Sequence, residues 1–146
     1  MPLIVVGADT REGQEILDRL EVAEREVRVF VSDESAGLAL RQRGFKVATG
    51  DVSDESHIEA AALRCFSAVL ITEAATDGRE RAFASEPRDV LEGWARAMRA
   101  SEVTRVIWVT DEDFPETLAQ EVTSVDPSDP GFADTVIALD DAHSIR

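Results

Sequence analysis

Short apolar runs rich in β-branched residues alternate along the chain with segments in which apolar residues recur every three or four positions. The first pattern is typical of buried β strands, and the second is typical of helices with one buried face. The runs predict strands over residues 3–7, 26–33, 45–51, 67–74 and 103–111, and a weaker sixth strand over residues 121–126. The periodic segments predict helices over residues 10–24, 34–44, 53–64, 88–102 and 129–142, and a helical turn over residues 114–120.

Residues with known preferences for helix ends support several of these boundaries. Gly44 follows the second predicted helix, and glycine commonly occupies the position after a helix. Ser53 and Asp54 precede the third helix, where their side chains can cap the first turn. Asp129 and Pro130 predict the start of the last helix, with the aspartate as its cap and the proline in its first position.

Strands that alternate with helices at this spacing predict an α/β fold with a doubly wound parallel sheet and helices on both faces. Right-handed crossovers place the first strand centrally in this Rossmann-like, three-layer arrangement, with strand order 3-2-1-4-5 and a sixth strand beyond. Residues 1–146 show no repeat or linker and are interpreted as one domain without a separate substrate domain. The polar residues 75–87, which include Gly78 and Pro87, are predicted to form a long loop. The binding crevice of such a sheet lies at the carboxyl ends of the first and fourth strands.

The loop after the first strand, "GADTREG", has glycines at Gly7 and Gly13. In dinucleotide-binding folds, glycines here allow a tight turn, let backbone amides approach a pyrophosphate, and let the helix pack closely on the sheet. Thr10 stands where a third glycine is expected, so its side chain adds bulk at the phosphate position, although its hydroxyl can donate a hydrogen bond. Two interpretations stay open: a phosphate site that still functions, or glycines that serve packing alone.

Several segments in order resemble the NAD(P)-binding half of the atypical short-chain dehydrogenases, the NmrA-like and epimerase-like group. They are the first loop, which matches G-x-x-G-x-x-G except at Thr10, and the segments "VRVFVSD", "GFKVATGDVSDESHIEAA" and "DVLEGWARAMRASEVTRVIWVT". The resemblance runs from Pro2 to about Asp111 and implies a degenerate, truncated Rossmann domain that binds NAD or NADP weakly. It implies cofactor contacts at Gly7, Ala8, Thr10, Arg11, Glu12, Gly13, Ser32, Asp33, Asp51, Val52, Thr72 and Glu73.

Three of these positions bear on the choice of cofactor. Ser32 stands where NADP-preferring relatives carry an arginine, so the cation that would recognise a 2′-phosphate is missing. Asp33 is suited to accept a hydrogen bond from a ribose hydroxyl, and it is equally suited to cap the next helix. Asp51 corresponds to the family's aspartate near the adenine. The resemblance therefore favours NAD over NADP.

The catalytic pair of the resembled family is not matched. That family uses a tyrosine and a lysine four residues later, and the lysine lowers the pKa of the phenol so that it can act as acid or base. This chain has no tyrosine, and its single lysine, Lys46, falls on the third strand, away from the crevice. Thr110 matches a family serine but has no base beside it. We therefore predict no catalytic residue and no metal site.

The composition is strongly acidic, with 30 acidic against 15 basic residues and a formal net charge of −15. Such a charge disfavours nucleic acids and anionic membranes as partners. Two explanations for a chain poor in lysine stay open: codon usage that favours arginine, or adaptation to high salt, which screens a surface rich in carboxylates. Glu73 follows the fourth strand, and Asp111, Glu112 and Asp113 follow the fifth, so carboxylates are expected near the crevice, where they would repel a pyrophosphate.

The expected location is the cytoplasm. No apolar run has the length of a membrane span, and the first residues lead directly into a strand pattern without the features of a signal peptide. Cys65 is the single cysteine and is predicted to be buried filler. Whether the domain forms a homodimer stays open.

The first functional hypothesis is a dinucleotide-binding module with weakened or lost cofactor binding and no dehydrogenase chemistry, acting as a sensor or regulatory protein. The alternatives are a minimal NAD(P)H-dependent reductase or epimerase-like enzyme, a nucleotide-sensing domain like those attached to potassium channels, and a scaffold without ligands.

Overall fold

Six strands alternate with five α-helices over residues 2–20, 25–76 and 86–145, which are the residues that the computed structural model describes. The strands are β1 (Leu3–Val6), β2 (Val27–Val31), β3 (Lys46–Thr49), β4 (Ser67–Ile71), β5 (Arg105–Val109) and β6 (Glu121–Val125). The helices are α1 (Arg11–Leu17), α2 (Glu34–Gln42), α3 (Glu55–Ala62), α4 (Pro87–Ala100) and α5 (Phe132–Asp141), and a short 3-10 helix covers Thr72–Thr76.

The strands form one parallel sheet in the order β3-β2-β1-β4-β5-β6. The central strand β1 is apolar along its whole length because it is covered on both faces, as expected for a parallel sheet. Its last residue, Val6, lies beside Phe30 of β2 and Leu70 of β4, so the carboxyl ends of these three strands share one edge. The predicted α/β fold, strand order and sixth strand are confirmed.

Alternate residues of β2, β1, β4 and β5 face two separate apolar cores, which makes the three layers. One core packs against α3 and α4 and contains Ile4, Phe30, Ile58, Leu70, Trp94 and Trp108. The other packs against α1, α2 and α5 and contains Val5, Ile16, Val29, Leu40, Ile107 and Phe132. No helix among the described residues is long and apolar enough to cross a membrane.

Two of the predicted helix ends are confirmed in detail. Gly44 has a φ of +100° and follows α2, and the amide of Phe45 donates to the carbonyl of Leu40, as in a Schellman motif. Asp54 caps α3 by accepting a hydrogen bond from the amide of His57.

The predicted start of the last helix is wrong. Asp129 and Pro130 lie in the preceding turn, and α5 begins only at Phe132. The reason is Gly131, whose φ of +82° is left-handed and cannot belong to a right-handed helix.

The predicted helical turn at residues 114–120 is also absent from the described structure. Phe114 stacks on Trp108 at a centroid distance of 5.5 Å, and the Trp108 indole N–H donates to the hydroxyl of Thr117 at 3.0 Å. Because these contacts hold the segment against the end of β5, it runs without regular structure.

Further boundaries differ from the prediction, among them those of β4, α1 and α4. β4 ends at Ile71, and the 3-10 helix replaces the predicted strand residues 72–74 and the start of the predicted loop. α1 ends at Leu17 rather than continuing to residue 24, and Pro87 opens α4 rather than closing a loop. The rest of the predicted helix, residues 21–24, and of the predicted loop, residues 77–85 with Gly78, lies outside the described residues.

The buried side chain of Arg105, on β5, links the end of α5 to the edge strand β6. Arg105, which is fully buried, pairs with Glu121 at 2.6 Å on the neighbouring strand β6. Its guanidinium also donates to carbonyl oxygens at the end of α5, those of Leu139, Asp140, Ala142 and His143. The hydrogen bond and charge of Arg105 hold the pKa of Glu121 below its ordinary value, with smaller contributions from Ser144 and Ile145.

This pair should give the domain a specific sensitivity to acid. A carboxyl group whose pKa is lowered by folding stabilises the protein above its unfolded-state pKa, and that contribution is lost as the pH falls through the folded-state value. We expect Glu121→Gln to lower the free energy of unfolding at neutral pH, because the buried cation Arg105 loses its charged partner. The difference between the variant and the wild type should be independent of pH near neutrality and should shrink below about pH 4.5, where the wild-type carboxylate becomes protonated. Denaturant unfolding from pH 7 to pH 3 checks this, with the exposed Glu116→Gln as control. A difference that does not depend on pH would contradict it.

Candidate functional site

A cleft of about 420 Å³ lies beside the carboxyl ends of β1, β2 and β4. It is lined by Asp9, Thr10, Arg11, Glu12, Ser32, Glu73, Ala74 and Thr76. Five of these residues, Thr10, Arg11, Glu12, Ser32 and Glu73, are among those that the family resemblance implied as cofactor contacts. Sequence reasoning missed Asp9, Ala74 and Thr76.

The two glycines of the first loop lie behind the cleft and shape it. Gly7 has a φ of +90°, and a Cβ on it would lie 2.9 Å from the Cβ of Ala74. Gly13 faces the turn itself, because a Cβ on it would lie 2.5 Å from the carbonyl oxygen of Gly7 and 2.6 Å from the Cα of Ala8. Ala8 is itself fully buried. These glycines therefore have a packing role, whether or not the loop binds a ligand.

Thr10 is the N-cap of α1, and both functions of its hydroxyl are used inside the loop. The hydroxyl donates to the carbonyl oxygen of Gly7 at 2.6 Å and accepts from the amide of Gly13 at 3.0 Å. Donation to a phosphate would therefore require the first bond to break. The amides of Arg11 and Glu12, in the first two helical positions, have no acceptor within the helix and are the donors that this loop offers to an anion.

The cleft has an excess of negative charge. Three of its lining residues, Asp9, Glu12 and Glu73, are carboxylates, and one, Arg11, is a cation. Arg11 is partly neutralised already, since its guanidinium lies 3.0 Å from the carboxylate of Glu12 and 3.5 Å from that of Glu15. The predicted acidic cluster is only partly brought together here: Asp111, Glu112 and Asp113 are exposed and are not among the lining residues.

Asp9 connects the first loop to the carboxyl end of β2. Its Oδ2 accepts hydrogen bonds from the amides of Ser32 and Asp33, each at 3.2 Å, and from the hydroxyl of Ser32 at 3.4 Å. The sequence carries a signal for this contact, because Asp9 comes three residues after β1, and in a parallel sheet that position lies next to the end of β2.

The other residues implied by the resemblance are not among those that line the cleft. Asp33 is the N-cap of α2, where its carboxylate accepts from the amide and hydroxyl of Ser35. Asp51 accepts in the same way from Ser53. Val52 is buried, and its carbonyl accepts from the indole of Trp94. The hydroxyl of Thr72 donates to the carbonyl of Val109.

Lys46 and Thr110, which were compared above with the catalytic residues of the family, and the single cysteine, Cys65, all make structural contacts or are buried. Lys46 begins β3, at the end of the strand opposite to the cleft, and pairs with Glu26 at 2.9 Å. The Thr110 hydroxyl accepts from the amide of Glu112 at 3.1 Å. Burial raises the pKa of the Cys65 thiol to about 11, so this cysteine stays protonated at neutral pH.

His57 is half-buried. It packs edge-on against Phe30 at 5.0 Å, and a Cβ on Gly50 would lie 2.3 Å from its ring. His57 therefore fills the space that Gly50 leaves open.

A parallel sheet in this order, with a glycine turn between β1 and α1 and a cleft at the carboxyl ends of the strands, defines a Rossmann-type nucleotide-binding domain. Residues 7–139 match the NAD(P)H-binding family, and the chain belongs to that family. None of the curated proteins matched the chain.

Solved structures with the same fold include NAD(P)-dependent reductases. A triphenylmethane reductase from Citrobacter sp. has 15% identity and a TM-score of 0.58, with 75% of this chain and 37% of that chain covered. An NADPH-dependent quinone oxidoreductase from Escherichia coli, complexed with NADPH, has 16% identity and a TM-score of 0.58, with 74% and 36% covered. An anaerobillin reductase from Escherichia coli has 25% identity and a TM-score of 0.52, with 75% and 50% covered.

This chain therefore spans between about a third and a half of the length of those structures. The predicted resemblance to the NAD(P)-binding domain of short-chain dehydrogenase-like reductases is confirmed.

Proposed function

We propose that this domain binds NAD(H) weakly and serves as a nucleotide-responsive regulatory module, without the tyrosine–lysine chemistry of the short-chain dehydrogenases. The observation that carries the proposal is the charge of the cleft, in which Asp9, Glu12 and Glu73 outnumber Arg11. A pyrophosphate brings about two further negative charges, and each like-charge contact at a protein surface opposes binding by on the order of a kcal/mol or more.

The backbone of the site fits a dinucleotide better than its side chains do. The turn at Gly7 and the close packing at Gly13 are the features that bring a helix N-terminus to a pyrophosphate. When bound, NAD would supply hydride-transfer chemistry. The chain has no tyrosine to exchange the accompanying proton in the way the family does, and Lys46 lies at the other end of its strand. Affinity without the usual catalysis is the function that this combination supports best.

We expect the protein to bind NAD⁺ and NADH with dissociation constants in about the millimolar range, close to −4 kcal/mol. Calorimetric titration at low and at molar salt measures this, and the affinity should rise with salt because screening weakens the repulsion. A dissociation constant in the micromolar range at low salt would contradict the proposal. Parallel titrations with AMP and ATP test the channel-type nucleotide sensor, which predicts tighter binding of a mononucleotide.

The alternative function is a minimal reductase, in which the fold only orients a substrate beside NAD(P)H. The structural neighbours support it, since the protein from Escherichia coli in complex with NADPH is described as a quinone oxidoreductase. Oxidation of NADH or NADPH by quinones, followed at 1:1 protein and cofactor over hours, discriminates between the two functions. Turnover above the rate without protein would favour the reductase.

A further inference from the structure

Three hydrogen-bond donors converge on one oxygen at the carboxyl end of β2. They are the amides of Ser32 and Asp33 and the hydroxyl of Ser32, and the oxygen is Oδ2 of Asp9, at 3.2, 3.2 and 3.4 Å. The two amides directly precede α2, a helix of nine residues whose N-cap is Asp33. Amides at a helix N-terminus favour an anion, and here the anion is a carboxylate of the chain itself.

This group of donors, which we call the β2 cradle, forms part of the nucleotide cleft. Both Asp9 and Ser32 line that cleft. In Rossmann domains the end of β2 lies beside the adenosine ribose, and a carboxylate there accepts a hydrogen bond from the 2′-hydroxyl, whereas NADP-binding domains place a cation there for the 2′-phosphate. The residue expected to meet the ribose, Asp33, instead uses its Oδ1 to bind the amide and hydroxyl of Ser35.

We propose that Asp9, which occupies the β2 cradle, determines the cofactor specificity of this site by accepting the 2′-hydroxyl of NAD(H) and excluding the 2′-phosphate of NADP(H). This inference rests on the proposed function, because it concerns the same cleft. Asp9 has a second carboxylate oxygen, Oδ1, which is the acceptor for a ribose hydroxyl. A 2′-phosphate carries about −1.5 to −2 charges and would meet both the negative charge of Asp9 and donors that are already engaged.

Other features of the cleft agree with this assignment. The cation of the lining set, Arg11, lies in the first turn of α1 and pairs with Glu12 and Glu15, rather than with a group at the end of β2. Among the described residues, Ser32 and Asp33 at this strand end supply donors and a carboxylate but no side-chain cation. The cradle is therefore able to bind an anion only if Asp9 leaves it.

The test is the ratio of the dissociation constants for NADP⁺ and NAD⁺, measured by calorimetry on the wild type and on three variants. Asp9→Ala empties the cradle, and we expect it to lower the ratio about tenfold or more, since charge-assisted hydrogen bonds to a phosphate replace those to Asp9. Asp9→Asn keeps an oxygen on the amides and removes only the charge, so its ratio should lie between those of the wild type and Asp9→Ala. Glu73→Ala removes the same charge from the same cleft without touching the cradle, so both cofactors should bind more tightly and the ratio should change less than about twofold.

A second readout does not require an intact dinucleotide site. In amide NMR spectra, 2′-AMP should shift the resonances of Ser32 and Asp33 in Asp9→Ala and leave them unchanged in the wild type. 5′-AMP keeps its 2′-hydroxyl, which loses its acceptor in Asp9→Ala, so it should shift these resonances less in the variant than in the wild type. If Asp9→Ala fails to fold, the cofactor ratio of Asp9→Asn carries the test, because this variant keeps the hydrogen bonds of the cradle.

The outcomes separate this inference from the proposed function. Weak NAD⁺ binding by the wild type with an unchanged cofactor ratio in both Asp9 variants overturns the inference and leaves the proposed function standing. Absence of any nucleotide binding by the wild type and by all variants overturns both. A lowered ratio in Asp9→Ala, matched by the shifts with 2′-AMP, supports the role of Asp9 even if the wild type binds NAD⁺ more tightly than proposed.

Discussion

Gly13→Val should lower the free energy of unfolding by about 3 kcal/mol or more, at the upper end of the cost of overpacking a core. A Cβ on this residue would lie 2.5 Å from the carbonyl oxygen of Gly7 and 2.7 Å from that of Ala8. These are backbone atoms, so they cannot move aside without shifting the turn between β1 and α1. The loss arises from packing and is therefore expected with and without nucleotide.

A matched control is Gly93 of α4, which is also a buried helical glycine. A Cβ there would find its nearest neighbours at 3.7 Å, and these are side-chain atoms of Arg96 and Glu55. Gly93→Ala should therefore be neutral or should stabilise the protein by up to about 1 kcal/mol, because alanine restricts the unfolded chain. Denaturant unfolding of both variants measures the contrast. Equal stabilities for Gly13→Val and the wild type would show that α1 does not pack on this turn as described.

The sheet could be predicted from the sequence because its four inner strands, β2, β1, β4 and β5, are covered on both faces and their apolar pattern is therefore nearly continuous. Val5 and Val6 face opposite cores, and both are fully buried, so neither position is free to be polar. Boundaries that depend on one backbone angle or on one distant side chain could not be predicted. Asp129 and Pro130 predict a helix start, but α5 begins only at Phe132 because the backbone of Gly131 is in the left-handed conformation.

The site could be predicted less well than the fold, for a similar reason. Thr10 and Gly13 could be placed at the start of α1 from the local motif, and the structure has Thr10 as the N-cap and Gly13 in the first turn. The role of Asp9 depends on hydrogen bonds to residues 23 and 24 positions away, at the end of another strand. Sequence spacing also suggested that Asp111 would share the crevice with Glu73. In the structure the segment that follows β5 is held by the contact of Phe114 with Trp108, and Asp111 does not line the cleft.

These contacts change what is expected from repairing the motif. Thr10→Gly restores the missing glycine, but Thr10 already provides the cap that holds the amide of Gly13. Replacing a capping residue with glycine costs only a few tenths of a kcal/mol, so this variant should fold. Since the carboxylates remain, we expect its affinity for NAD⁺ to rise by less than about threefold.

Glu73→Ala should have the larger effect on NAD⁺ binding at low salt. It removes one of the three carboxylates that line the cleft, and we expect the affinity to rise about fivefold, which corresponds to relief of roughly 1 kcal/mol of like-charge repulsion. The gain should fall toward zero at molar salt, where the screening length is only about 3 Å. Asp111→Ser is the matched control, because it removes the same charge at the end of the neighbouring strand but outside the cleft lining, and it should change the affinity little. If Thr10→Gly raises the affinity for NAD⁺ more than Glu73→Ala does, then the bulk of the Thr10 side chain, rather than the charge of the cleft, limits nucleotide binding. If Asp111→Ser raises the affinity as much as Glu73→Ala does, then the overall charge of the protein limits it.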